Sequence, residues 1–531
     1  MPAPERPRKL SVPRVPGSTA APERPGPIYS GYALALLAFI NILNYLDRNV
    51  IFALFDPIKR DLSLTDAQLG WLASAYVLVF SLSALPFGVL SDLRSRRAVI
   101  SGGVALWSAF TFMSGWVRGF WQLFFCRASV GIGEAAYGPA SQSLVADYYP
   151  GRGRALAMGI LMSGVALGGV LGILLGGVLE ARYGWRVAFM AVAVPGFFAA
   201  ILAGRLKDPT RPPGPISVRK YFQDFEIGVS TVVRQFTPVI VWSTVGGVVA
   251  VVLDLLFGAE SNLDVAVFGA FAGLGLAFNI RRWVKQIQAD HIDATPFGGQ
   301  VGTAFEDMLG AIQFVLRTPT LVYLFVGGAF ISFGLNGLVG WAPTFTSREL
   351  GLSPAAASVL LGKWGLLFGT LGTLVGGFVA DWTRRYTRIG RVLTIVFGLV
   401  IGGTLALWLL TVRDLRLFVP VFSASFFFLT WYNGPLSAVI FDVVPPRIGA
   451  TVIGAYLLFI HLAGDAIAFP IVGMLSDKFG IDRAILLLPI VALVGGLVTL
   501  GAASTVIRDM DRASHRTTGM FRRPKGIVPD A

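Results

Sequence analysis

Apolar runs of roughly twenty residues recur along the whole chain, each long enough to cross ~30 Å of hydrocarbon. A backbone in lipid has to satisfy its N–H and C=O groups internally, so a chain of this kind is restricted to helices or a closed barrel. Runs of this length select helices. Composition agrees: of 531 residues, 54% are hydrophobic and 14% charged, whereas soluble domains carry about 25% charged residues. The fold class is an all-α polytopic membrane protein.

Fourteen spans are predicted. Six lie near 30–55, 68–92, 98–116, 120–147, 154–180 and 186–204, and the last six near 319–346, 353–381, 390–412, 415–444, 449–475 and 483–507. These are numbered spans 1–12. Two more, near 236–257 and 263–280, form an extra hairpin between them. The chain thus divides into an N-terminal tail (1–29), a first six-helix bundle (30–204), a central linker (205–318) with the hairpin at about 236–280, a second bundle (319–507) and a C-terminal tail (508–531). The Pro-rich N-terminal tail has no signal-peptide apolar region and reads as disordered. "GTAFEDMLGAIQFVLRTPT" reads as an amphipathic surface helix leading into span 7.

An even number of spans puts both termini on one side. Of the 44 Lys and Arg residues, 31 fall on that side, 10 on the other and three within spans (Arg48, Arg127, Lys363). The asymmetry predicts cytoplasmic termini and insertion in the cell (inner) membrane. The net charge of +14 is then a topological signal lying beside anionic lipid headgroups, not a nucleic-acid surface. The single cysteine, Cys126, excludes an intramolecular disulfide, and three histidines leave little metal chemistry. No cofactor or metal is expected. Without a P-loop or a nucleophile elbow, an enzyme is not indicated.

Repetition defines the fold. "GVLSDLRSRR" (Gly88–Arg97) ends span 2 and "GFVADWTRR" (Gly377–Arg385) ends span 8, 289 residues later. After spans 4 and 10, "GPASQSLVADYYPGRGRA" and "GPLSAVIFDVVPPRIGA" align Asp147 with Asp442 at an offset of 295. "GVLEARYG" (Gly177–Gly184) and "GMLSDKFG" (Gly473–Gly480) end spans 5 and 11 on the opposite side. Two pseudo-symmetric six-helix halves, each built from inverted three-helix units, are the architecture of secondary transporters, with the site between the halves near the midplane. Asp92, Arg96 and Arg97, with Asp381, Arg384 and Arg385, are read as gating residues. They would form ion pairs across the half interface that break when the inner gate opens.

These motifs and the twelve-helix core resemble the major facilitator superfamily. More narrowly, "NYLDRNV" (Asn44–Val50), "RASVGIGEAAYGPA" (Arg127–Ala140) and "DYYPGRGRALAMG" (Asp147–Gly159) resemble its Spinster-like branch. The resemblance implies transport of lysophospholipid- or sphingosine-phosphate-like molecules, with proton coupling. The extra hairpin departs from the twelve-helix pattern and reads as a peripheral, lipid-facing appendage.

Charges inside spans are costly, at least ~2.5–3.5 kcal/mol each at the bilayer centre, so each needs a reason. Asp47 lies eight residues before the end of span 1, ~12 Å deep, and Arg127 seven residues into span 4, ~10 Å deep at 1.5 Å per residue. Helices 1 and 4 both line the central cavity in the superfamily, and a pair at matched depth offsets both costs. Glu134 lies two turns beyond Arg127 on the same face. Asp47 and Glu134 are read as proton-coupling carboxylates and Arg127 as a substrate contact. Arg48 diverges from Asp47 by about 100° and pairs separately or touches substrate.

In the second half, Asn336, Lys363, Tyr432 and Asn433 are candidate substrate contacts, and His461 with Asp465, at i and i+4, is a possible proton relay. Phe330, Phe333, Trp341, Phe426, Phe427, Phe428 and Trp431 offer an aromatic wall. A charged patch facing that wall would suit an amphiphile with an anionic head and an acyl tail. The expectation is a monomeric, proton-coupled transporter of an amphiphilic lipid. The alternatives are a proton-coupled drug antiporter or small organic-anion symporter using the same charges, and a non-transporting sensor or scaffold.

Overall fold

The computed structural model describes residues 25–93, 95–149, 153–209, 237–253, 263–289, 314–445 and 449–521; among them the regular structure is helical, with no strand. The first half holds α1 (Pro27–Ala53), α2 (Phe55–Leu62), α3 (Asp66–Leu93), α4 (Arg96–Ser114), α5 (Phe120–Tyr148) and α6 (Arg154–Gly204). Helices α7 (Thr237–Leu253) and α8 (Leu263–Ala289) follow. The second half opens with α9 (Pro319–Glu349), α10 (Pro354–Arg384) and α11 (Gly390–Leu409). Helix α12 (Leu415–Leu429) runs through a 3₁₀ turn (Thr430–Tyr432) into α13 (Asn433–Val443). Helix α14 (Gly449–Ile460) runs through a π-helical turn (His461–Asp465) into α15 (Ala466–Phe479). Short α16 (Ile481–Ala484), α17 (Leu487–Leu500) and α18 (Val506–Phe521) end it. Nine helices among the described residues are long and apolar enough to cross a membrane, and α6 carries two spans broken at Gly184. With the shorter apolar stretches of α7 and α8, and with α4 and α5, which are not among those nine, this arrangement is consistent with fourteen spans.

Local chemistry sets where several helices begin. Ser353 caps α10 by accepting from the Ala356 amide at 3.2 Å, with Pro354 at the first helical position, where its missing N–H costs nothing. Asp414 opens α12 in the same way, accepting from the Arg416 amide at 2.9 Å. Helix α9 is capped from a distance: Asp509 of α18 accepts from the Thr320 amide at 3.1 Å and the Thr320 hydroxyl at 2.7 Å. Residues 508–521, expected as a tail, are therefore helical, and Asp509 and an Arg388–Asp511 pair at 2.5 Å tie them to the second half. A buried carboxylate beside the free amides of a helix start is favourable enough to order such a segment. The predicted tail residues 1–24 and residues 302–313 of the predicted amphipathic helix lie outside the described residues.

The repeats seen in sequence return as geometry. Gly184 and Gly480 close their motifs with matching backbone angles, φ 81° and ψ 161° against φ 84° and ψ 154°. Positive φ of this kind is open to glycine and strained for other residues. The opening glycines, Gly177 and Gly473, do a second job: each lets its helix touch the other half. A Cβ on Gly177 would sit 2.8 Å from the Pro354 carbonyl oxygen, and one on Gly473 would sit 2.8 Å from the Ala67 Cα. Both halves thus meet through two seams, α6 against α10 and α15 against α3.

Both seams lie at the distal face, opposite the terminal face on which α1 and α9 begin. Polar contacts reinforce one of them. Asp477 accepts from the Asp66 amide at 2.8 Å and the Ala67 amide at 2.9 Å, so the second half caps the start of α3. Ser476 donates to Asp66 at 2.6 Å, and Ser74 donates to the Ala466 carbonyl at 2.7 Å. Arg348, at the end of α9, bridges Asp56 at 2.6 Å and Asp66 at 2.7 Å, and Lys59 holds Asp66 at 2.7 Å. Just outside the spans, a hydrogen bond from Arg186 holds the Asp61 carboxyl below the usual carboxylate range and ties α2 to the turn of α6. Apolar contacts back the seal, with Phe52 on Phe469 at 5.4 Å and Phe55 on Trp341 at 5.2 Å.

The extra hairpin packs on the first half. Trp242 of α7 stacks on Phe278 of α8 at 5.7 Å, and Phe268 of α8 enters a socket formed by Trp71, Trp121 and Phe124 at 5.6–6.0 Å.

Arg348 is the joint on which the distal seal converges. Losing a partly buried pair of this kind costs about 2 kcal/mol, or roughly thirtyfold in the balance between closed and open. Arg348→Ala is therefore expected to raise the rate at which a membrane-impermeant thiol reagent, applied from the distal side, labels a cysteine placed at Asn336 in a Cys126→Ser background. An unchanged labelling rate in folded protein would show that the ion pairs are dispensable for the seal.

Candidate functional site

Close backbone crossings build the charged centre. Helix α5 touches α3 at Gly131, where a Cβ would lie 2.7 Å from the Tyr76 carbonyl oxygen, and α4 at Gly133, where it would lie 2.6 Å from the Trp107 amide nitrogen. These crossings carry Tyr76 and Thr111 up to the acidic and basic residues of α1 and α5. Arg127 donates to Asp47 Oδ1 at 3.0 Å and to the Asp47 carbonyl at 3.3 Å. Thr111 donates to the other carboxylate oxygen of Asp47 through a short hydrogen bond. Asp47 is 2% exposed and Arg127 1%. The ion pair is thus fully enclosed by protein, and Arg127 is already committed.

Arg48 is arranged differently. It makes no hydrogen bond or ion pair among the described residues; its guanidinium lies over the rings of Tyr76 and Phe80, each at 4.8 Å, and of Tyr45 at 5.4 Å. Cation–π contacts of this kind hold the charge without using its N–H donors. Its electrostatic neighbours are Glu134 in its own half and Asp465 in the other. Glu134 is buried and accepts a short hydrogen bond from the Tyr76 hydroxyl on Oε2, while its Oε1 has no hydrogen-bond partner among the described residues. Tyr76 therefore touches three charges, since Arg127 also lies 5.8 Å from its ring.

The second half presents a smaller polar group around the π-helical turn. Such turns widen a helix by one residue and leave backbone groups unpaired, and they recur at functional positions. His461 Nδ1 lies 2.6 Å from Asp465 Oδ2. Asp465 Oδ1 accepts from Asn336 at 3.0 Å and takes a short hydrogen bond from Ser332. Asn336, His461 and Asp465 thus meet. Tyr432 is partly buried, with Asp465 as an electrostatic neighbour. Asn433 donates to Thr373 at 3.3 Å, and exposed Lys363 lies 5.0 Å from the ring of its neighbour Trp364; neither joins the cluster.

The aromatic wall is not one surface. Trp341 is buried in the distal seal, Phe426 stacks on Phe422 at 5.6 Å, and Phe427, Phe428 and Trp431 pack on one another. Phe330 is exposed and Phe333 buried.

At the terminal face the ion pairs seen among the described residues join motif charges within halves; the cross-half pairing expected of Asp92 lies outside the described residues. Arg96 binds Asp147 at 2.7 Å and Asp208 at 2.5 Å. Arg391 binds Asp442 at 2.6 Å and Asp381 at 2.8 Å, and Arg384 reaches Asp442 at 3.2 Å. The structural counterpart of Arg96 is Arg391, at the same offset of 295 that relates Asp147 to Asp442. The reason is position: both arginines start the helix after the motif, next to the end of α5 or α13. Arg97 donates to the Leu206 carbonyl at 3.4 Å, and Arg385 is exposed. The Asp92 side chain lies outside the described residues.

Sequence reasoning missed Tyr76, Thr111, Ser332 and Arg348. The first three carry no charge and are ordinary in membrane helices. Arg348 passed as one of the loop charges on the less basic side, although the amphipathic "FDPIKRDL" opposite it supplies its acidic partner Asp56.

Comparison with known proteins fixes the family. The Major Facilitator Superfamily model matches residues 37–464. An MFS-type efflux pump of Mycolicibacterium smegmatis is 26% identical over 94% of this chain and 99% of its own length. The sphingosine-1-phosphate transporter SPNS2 of Mus musculus is 24% identical over 97% of this chain and 86% of its own. A crystal structure of a bacterial homolog of the human lysosomal transporter Spinster, inward-facing and occupied, superposes with a TM-score of 0.67 at 21% identity, covering 91% of this chain and 99% of that one. The chain is thus similar to Spinster-like transporters, and it belongs to the major facilitator superfamily of multi-pass membrane transporters.

Proposed function

We propose that this transporter moves amphiphiles with an anionic headgroup and an apolar tail, such as a lysophospholipid or a sphingosine-phosphate-like lipid, and that protons drive it. The observation that carries this reading is Arg48, a cation held on three rings with its N–H donors unspent, between Glu134 and Asp465. Arg127, by contrast, is occupied by Asp47. An anionic headgroup can take up the Arg48 donors in charge-assisted hydrogen bonds, which are about twice as strong as neutral ones. Similarity to a sphingosine-1-phosphate transporter supports the ligand class.

Coupling follows from competition. Charged Glu134 offers Arg48 a negative neighbour inside the protein. When Glu134 takes a proton, that attraction ends and Arg48 is left for the ligand. Low pH on the loading side therefore favours anion binding. Asp47 and the His461–Asp465 pair are the other groups that can exchange protons as the cavity opens to one side or the other. The bias of Lys and Arg toward the side of the termini supports cytoplasmic termini in a protein of the inner membrane, with the sealed distal face as the outer one.

Three measurements test this. In proteoliposomes, Glu134→Gln should abolish flux of a lysophospholipid driven by an imposed pH gradient while the protein stays folded; flux that still follows the gradient would remove Glu134 from coupling. Arg48→Ala should weaken binding of an anionic lysolipid by about ten- to a hundredfold, the value of a hydrogen bond to a charged group, and leave an uncharged detergent of equal chain length unaffected. Shortening the acyl chain should cost up to ~0.8 kcal/mol per buried CH₂. Equal affinity for short and long chains would instead favour a drug or small-anion substrate, a reading that the efflux-pump relative keeps open.

A further inference from the structure

Tyr76 lies where the two arginines and Glu134 come together. Its ring centroid is 4.8 Å from the Arg48 guanidinium carbon and 5.8 Å from that of Arg127. It also stacks on Phe80 at 5.7 Å, the second ring under Arg48. Its hydroxyl donates to Glu134 Oε2, the one hydrogen bond that this carboxylate makes among the described residues. The side chain is 3% exposed, so water does not compete freely for these contacts.

We propose that Tyr76 is the positioning residue that joins Glu134 to Arg48, so that proton uptake at one releases the other for an anionic ligand. The inference rests on the proton-coupled reading above and adds the part that links its two ends. The groups facing the unit are Tyr45, Asp47 and Arg48 from α1, Arg127 from α5 and Asp465 from the second half.

The link works through one side chain with two kinds of contact. While Glu134 is a carboxylate, the Tyr76 hydroxyl is drawn to it in a charge-assisted hydrogen bond, which fixes the ring. The fixed ring holds Arg48 by its π face, near Glu134. After protonation the hydroxyl faces a neutral acid, the bond drops to ordinary strength, and Arg48 keeps its aromatic seat while losing the acidic neighbour in its own half. The ring and the hydroxyl thus have separable roles. The ring seats the cation in both states, and the hydroxyl ties that cation's freedom to the charge on Glu134.

The test separates them. Full-length protein in nanodiscs is titrated with lysophosphatidylglycerol, whose phosphodiester stays anionic, over a series of pH values. Binding by the unmodified protein should weaken as pH rises through a midpoint. Tyr76→Phe keeps the ring and removes the donor that favours the Glu134 carboxylate, so the midpoint should move to higher pH by about one to two units, with the affinity at the acid limit retained. Tyr76→Leu removes the ring and should lower the acid-limit affinity roughly two- to thirtyfold. An unmoved midpoint in folded Tyr76→Phe, with pH dependence abolished in Glu134→Gln, would overturn the role of Tyr76 and leave the coupling reading standing. pH dependence that persists in Glu134→Gln would overturn the coupling reading itself.

Discussion

The buried pair between Asp47 and Arg127 is the constraint around which the first half is arranged. Neither charge is tolerable alone at its depth, and removing one partner of such a pair costs about 3–5 kcal/mol. The pair therefore fixes the rotation of α1 against α5. Thr111 adds a third helix by donating to the same carboxylate. Once α1 is locked in this way, Arg48 has to point about 100° away, which sends it to the rings of Tyr76 and Phe80. The two neighbours in "LDRN" thus differ in their contacts: Asp47 is engaged by Arg127 and Thr111, whereas Arg48 makes no hydrogen bond or ion pair among the described residues and rests on aromatic rings.

The halves divide the labour unequally. The first carries the enclosed ion pair and the accessible cation; the second offers a carboxylate held by serine, asparagine and histidine at a π-helical turn. Terminal-face ion pairs follow the repeat closely, with Arg96–Asp147 mirrored by Arg391–Asp442. Those pairs are internal to each half, so they stiffen each bundle as a body. The contacts that join the bundles gather at the distal face, where Arg348, Asp66 and Asp477 meet.

Much of the fold was legible because its signals are written in chemistry that has few alternatives. Twenty-residue apolar runs, the repeated glycine–acid–arginine motifs and the depth-matched Asp47 and Arg127 each leave little choice. Side-chain direction was less legible. By the motif offset of 289, Arg96 falls on Arg385, yet Arg391 takes its structural place because the helix start, not the motif, faces Asp442. Aromatic residues gave no direction at all: Trp341, Phe427 and Trp431 are spent on packing, whereas Tyr76, unremarked in a run of small and apolar residues, lies at the centre of the charges. Capping by a residue hundreds of positions away, as Asp509 caps α9, leaves no local trace in the sequence, and neither does the hold of Asp477 on the first amides of α3 beyond its local Thr65–Gln68 cap.

That last arrangement makes the two seams unlike. Helix α10 is capped by its own Ser353, so its start is complete whether or not the halves touch. Helix α3 is also capped locally, by Thr65 accepting from the Gln68 amide at 3.2 Å, but its first two amides are held by Asp477 of the other half, and separation strands those two at the positive end of a helix dipole. Water or a mobile anion can replace the lost carboxylate, so the free energy of parting this seam depends on what the solution at the distal face contains. The α6–α10 seam, closed by packing alone at Gly177, has no such dependence. Dissolved salt, which also screens the Arg348 pairs, would then act on one side of the molecule as a lubricant and leave the other side as the pivot.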